Sequence, residues 1–157
     1  MKKTLLLIAI SLFAFSSAWA QQDPFLGTWK QNLAKSKYDP ASGTPKAGTT
    51  VKREAAGSGY KVTTDGMNAQ GAPTHTEYTT ATLDGKDYPL KGSADYDSVA
   101  IKKIDANTII TINKKGGATV RMLRTTVSKD GKTSTSDQVG YNAQGMAFHN
   151  VTVFDKQ

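Results

Sequence analysis

The chain reads as an all-β protein, an antiparallel up-and-down β-barrel of roughly eight to ten strands behind a removable leader. Three observations predict it. Beyond residue 20 no stretch spaces its apolar residues as a helix face does. Short turn signals interrupt the chain roughly every 8 to 14 residues. Between them, apolar and polar residues alternate with the period of two that a half-buried strand requires.

The leader comes first. Lys2 and Lys3 form a positive start, residues 4 to 15 an apolar run, and Ala18-Trp19-Ala20 supplies the small residues of a cleavage site. An apolar run of about 12 residues falls well short of the roughly 20 needed to span a bilayer, so the segment reads as a signal peptide and not an anchor. Residues 21–157 then form one domain, expected in the periplasm or outside the cell. With no cysteine in the 157 residues, disulfides, thiol catalysis and thiolate metal sites are excluded. Without Lys2 and Lys3, 18 basic residues face 13 acidic ones, a net charge of +5. Such a surface keeps a protein soluble and attracts anionic partners. No recognition motif for nucleic acid is present.

The strands follow from the punctuation. The first is expected at 26–33, then a Lys-, Pro-, Ser- and Gly-rich irregular loop over 34–47 in which Pro40, Pro45 and Gly43 disfavour helix. Further strands are expected near 48–55, 59–66, 74–83, 87–91, 97–104, 107–114, 118–128, 132–141 and 146–156. Asp84-Gly85-Lys86 and Asp130-Gly131-Lys132 read as hairpin turns, with Gly57-Ser58-Gly59 and Gly116-Gly117 in the same role. A meander with links this short tends to close on itself, which removes both exposed edges. Several faces carry threonine where a packed core would carry leucine. Such an interior holds water and polar groups beside an apolar ligand.

Gly66-Met67-Asn68-Ala69-Gln70-Gly71 recurs as Gly140-Tyr141-Asn142-Ala143-Gln144-Gly145, and a histidine follows each copy at His75 and His149. Two readings stand: an internal duplication, or one loop sequence used twice because Asn and Gly suit such turns.

Residues 25 to 30, Phe25-Leu26-Gly27-Thr28-Trp29-Lys30, resemble the opening of the fatty-acid-binding proteins and the Gly-x-Trp signature of the lipocalins. Both families belong to the calycin group of ligand-binding barrels. The resemblance implies that Gly27 and Trp29 are structural, with the indole packed across one end of the barrel. It also implies a cavity for a small molecule. The fatty-acid-binding branch closes its barrel with two short helices between the first two strands, where residues 34–47 read here as a loop. That branch grips a carboxylate with an Arg-x-Tyr pair on its last strand. The matching positions are Thr152 and Phe154, so that grip is absent.

The residues expected to line a ligand site are Tyr78, Arg124, Thr152 and Phe154. Arg124 shares a face with Val120 and Met122; an inward arginine there would need an anionic partner from the ligand or the protein, and an outward one would be a solvated strand residue. His75 and Glu77 share a strand face, but two ligands without a third do not make a metal site. No metal or other cofactor is expected. No Gly-x-Ser-x-Gly elbow marks a nucleophile, and Asp84 and Asp87 are explained by turn chemistry.

The expectation is therefore an exported, non-catalytic barrel binding a small apolar or amphipathic molecule. Two alternatives accompany it. One is a filled barrel whose basic surface meets an envelope protein or anionic glycan. The other is an isomerase- or cyclase-type enzyme on the same scaffold.

Overall fold

The computed structural model describes residues 23–157. The leader expected over residues 1–20 lies outside them. Ten strands follow in chain order: β1 (Gly27–Gln31), β2 (Ala47–Ala56), β3 (Gly59–Met67), β4 (Pro73–Thr79), β5 (Asp84–Lys91), β6 (Ser98–Lys103), β7 (Thr108–Lys115), β8 (Ala118–Val127), β9 (Thr133–Tyr141) and β10 (Ala147–Lys156). Each pairs antiparallel with its sequence neighbours, and β1 closes the ring on β10 through Trp29↔Lys156, Lys30↔Asp155 and Gln31↔Phe154. Closure leaves every strand flanked on both sides.

The ladders differ in length. The β9–β10 ladder runs from Ala147↔Tyr141 to Asp155↔Thr133. Between β4 and β5 only Glu77↔Lys91 and Tyr78↔Leu90 are in register.

The core gathers at one end. Phe25, Trp29, Tyr60, Val62, Val99, Ile101, Ile109 and Val127 form an apolar cluster there. Trp29 is fully enclosed, its Nε1–H donates to the Phe25 carbonyl at 3.0 Å, and the Lys156 ammonium stands 5.1 Å from the ring centre. This cluster, Trp29 included, plugs the base of the barrel. Asp23 ties the plug together. It accepts from the Phe25 amide at 3.0 Å, the Tyr60 hydroxyl at 2.8 Å and Lys103 Nζ at 3.0 Å. Burial pushes the Asp23 carboxyl up, but these donors outweigh it and its pKa lies below the usual value. The same burial and the Asp23 charge push the Tyr60 phenol well up.

Two departures from expectation have local causes. Asp84-Gly85-Lys86 is not a hairpin turn. The chain has already reversed through residues 80–83, and Asp84 and Gly85 open β5 at a register shift before Asp87. Thr80 is responsible. Fully buried, it receives the Tyr60 amide on Oγ1 at 3.0 Å and donates its own amide to the Tyr60 carbonyl at 2.8 Å, so it holds the chain beside β3. Gly85, at φ +90°, then supplies a bulge, for which a left-handed backbone is equally apt. Over 34–47 the irregular loop carries a 3-10 turn, Leu33–Lys35, and a bridge from Lys37 to Val151. The helix pair of the fatty-acid-binding branch has no counterpart among the described residues.

Candidate functional site

The inward-facing residues follow from strand parity. Val51 and Arg53 on β2 face in, with Thr64 and Val62 on β3, Thr76 and Tyr78 on β4, and Ser134, Ser136 and Gln138 on β9. Above the apolar plug they enclose a cavity of about 510 Å³. That volume lies within the range of small-molecule sites, roughly 300–1,000 Å³. The interior is hollow, so a barrel filled throughout does not describe it.

The wall is a belt of hydroxyls and amides, several already paired with each other. Thr125 and Ser136 share a hydrogen bond of 2.6 Å, and Gln138 Nε2 donates to Thr152 Oγ1 at 2.7 Å. Pairing removes the penalty of burying each group alone. Apolar contact comes from Val51, Val62, Leu90, Leu123, Phe148 and Phe154.

Of the four residues expected at the site, Tyr78, Thr152 and Phe154 line the cavity. Arg124 does not: it is exposed on the outer face, in register with Ile110 and Asp137. The inward set of β8 is Arg121, Leu123, Thr125 and Val127, the opposite parity from the Met122–Arg124 face, and Met122 is itself exposed. Val120 also touches the cavity because a register shift after Asn113 turns it inward beside Arg121.

Two arginines missed by the sequence reading do enter. Arg121 donates to Asn113 Oδ1 from Nε at 3.3 Å and from Nη2 at 3.2 Å, and to the Tyr96 hydroxyl at 3.2 Å. Its guanidinium lies 5.0 Å from the Tyr96 ring centre. Gly140 pairs with Arg121 across the ladder, where the backbones approach closely. A Cβ there would stand 2.7 Å from the Val120 carbonyl oxygen and 3.0 Å from the Phe148 ring. Arg53 faces the cavity two residues along β2 from Val51, a spacing that was available as its signal. Burial lowers the Arg53 pKa, while the charges of Tyr78, Tyr60 and Asp23 oppose that shift. Burial likewise raises the Tyr78 phenol, against the pull of Arg53 and Arg121. Asp95 is the carboxylate lining the cavity among the described residues.

The far end forms the mouth, covered by the loop after the 3-10 turn. Tyr38, Ser42, Gly43 and Pro45 of that loop line the cavity. The Gln31 amide donates to the Tyr38 hydroxyl, and burial raises the Tyr38 pKa. Asn150 Oδ1 accepts from the Asp39 amide at 2.8 Å and from Ser42 Oγ at 2.9 Å.

Both copies of Asn-Ala-Gln-Gly lie beside this loop. Asn68 Oδ1 accepts from the amides of Gln70 (3.1 Å) and Ala72 (2.9 Å), and Asn142 Oδ1 accepts in the same way from Gln144 (3.0 Å) and Met146 (2.9 Å). Both turns then hold the mouth loop. Asn142 Nδ2 donates to the Ala41 carbonyl at 2.8 Å, and the Lys46 amide donates to the Asn68 carbonyl at 3.3 Å. His75 and His149 point outside, toward Asp65 (2.6 Å) and Asp137 (2.9 Å). Among the described residues no three His, Asp or Glu side chains converge as a metal site would require.

The sequence matches no protein-family model and no curated protein. The fold, however, has a solved counterpart. Zebrafish ileal bile acid-binding protein, in complex with cholic acid, superposes with a TM-score of 0.55 at 13% sequence identity. The match covers 85% of this chain and 99% of that one. The two chains share a β-barrel fold. At this identity the likeness shows the fold alone.

Proposed function

We propose that the protein is an exported carrier that holds a small amphipathic molecule inside its barrel without transforming it. The observation that carries this reading is the cavity of about 510 Å³, sealed at the base and opening beneath a hydrogen-bonded loop. Its wall divides into an apolar part and a hydroxyl belt, which suits a ligand with both kinds of surface. The likeness to a bile acid-binding barrel supports the same class of cargo. Export rests on the leader sequence.

The test is native mass spectrometry of the protein purified from its own host, before and after denaturing extraction. A bound mass that disappears on extraction supports the carrier and identifies its cargo. An unliganded mass, with no displacement of an apolar dye by fatty acids or bile acids, sinks it.

A further inference from the structure

Arg53 is a half-buried cation that faces the cavity without a counter-ion. Its Nε–H is sealed from solvent with no acceptor, and no ion pair among the described residues includes it. Asp23, whose charge it feels, is occupied by Tyr60, Lys103 and Phe25. Arg121, the other guanidinium of the cavity, is by contrast supplied with neutral partners in Asn113 and Tyr96. A guanidinium turned toward a cavity and left without a protein acceptor is well placed to receive an anionic group of a ligand. Register places the second donor. Arg53↔Val62, Val62↔Tyr78 and Tyr78↔Leu90 form one row across β2 to β5, and Arg53, Val62, Tyr78 and Leu90 all line the cavity. The row lies toward the plugged base, a few residues from the turn at Gly57 that ends β2.

We infer that Arg53 is the seat for the acidic group of the ligand, with the Tyr78 hydroxyl as a second donor. The cargo is thus an amphipathic organic acid that sits head-down, its acid group against Arg53 and its body along the hydroxyl belt. This rests on the carrier reading. A planar, weakly hydrated guanidinium suits the role, since it forks onto carboxylate, sulfate or phosphate oxygens alike.

The experiment is calorimetric titration of the protein with decanoate, decyl sulfate and decyl phosphate at pH 8, each against 1-decanol, which keeps the chain and removes the charge. At least one of the three anions should bind at least about 10-fold more tightly than decanol, the scale of a hydrogen-bonded charge pair, and the tightest identifies the acid. Arg53→Met should abolish that preference while leaving decanol affinity within about 3-fold, and Arg53→Lys should keep part of it. Equal binding of anions and decanol, or a preference that survives Arg53→Met, overturns the inference and leaves the carrier intact. If neither anions nor decanol bind, the carrier reading fails, and this one with it.

Discussion

Asn150 is buried at 5% exposure, and its side-chain oxygen holds the mouth loop at two points, the Asp39 amide at 2.8 Å and Ser42 Oγ at 2.9 Å. Asn150→Ala removes both bonds and leaves the backbone pairing of residue 150 with Gln138 in place. At about 1 kcal/mol net for each hydrogen bond, the loop loses about 2 kcal/mol of its attachment, or roughly 30-fold in the balance between docked and detached states. The remaining attachments, through Asn142, Asn68 and the Lys37–Val151 bridge, limit the opening to the middle of the loop. Amide hydrogen exchange followed by NMR reads this directly. The Asp39 amide should exchange on the order of 10- to 30-fold faster in the variant. The Val99 and Ile109 amides of the base should change only with global stability, and Tm should fall by roughly 5 °C. An unchanged Asp39 amide would refute the reasoning, as would a uniform acceleration of all amides.

Three further outcomes are expected. Gly140→Ala sets a Cβ 2.7 Å from the Val120 carbonyl oxygen; the strain should lower stability by about 1–3 kcal/mol, and an unchanged midpoint in urea denaturation would show that β8 yields freely. The hydrogen bond that the His75 ring donates to the Asp65 carboxylate raises the His75 pKa above its ordinary 6.5. This pair therefore favours the fold fully below pH 6.5 and loses that contribution as pH rises through the raised value. NMR titration should show His75 falling back in Asp65→Asn, and no change would exclude the pair in solution. The Lys86 side chain, then its amide, hold Asp84 down at about 2, against 3.8 ordinarily. Its contribution is present above pH 3.8 and disappears as pH falls toward about 2. Lys86→Ala should raise the Asp84 value, and a titration curve unaltered by that change would contradict the assignment.

Strand positions were legible because turn chemistry and period-two alternation act locally. Residues 118–128 and 146–156 were expected as strands, and Ala118–Val127 and Ala147–Lys156 are observed. Alternation tells which side chains share a face, but not which face turns inward when both carry apolar groups. On β8, Leu123 and Val127 oppose Val120 and Met122, so alternation alone leaves both an inward and an outward Arg124 open. The deciding fact, a bulge beside Asn113, depends on the partner strand and has no local signature. Asp84-Gly85 failed for a similar reason, since Thr80 is anchored by Tyr60, twenty positions away in the chain. The twin Asn-Ala-Gln-Gly segments were readable as loops. Their joint hold on the mouth loop was not, because their partners Ala41 and Lys46 lie far off in sequence.

The plug built on Trp29 and Phe25 has a kinetic consequence. A barrel stopped at the base is a blind tube, and whatever goes in must back out the way it came. Loading and unloading share one doorway, so a second molecule cannot push the first through from behind. If the barrel carries cargo as proposed, its turnover is set by how often the loop at the rim lifts, and not by how many molecules wait outside.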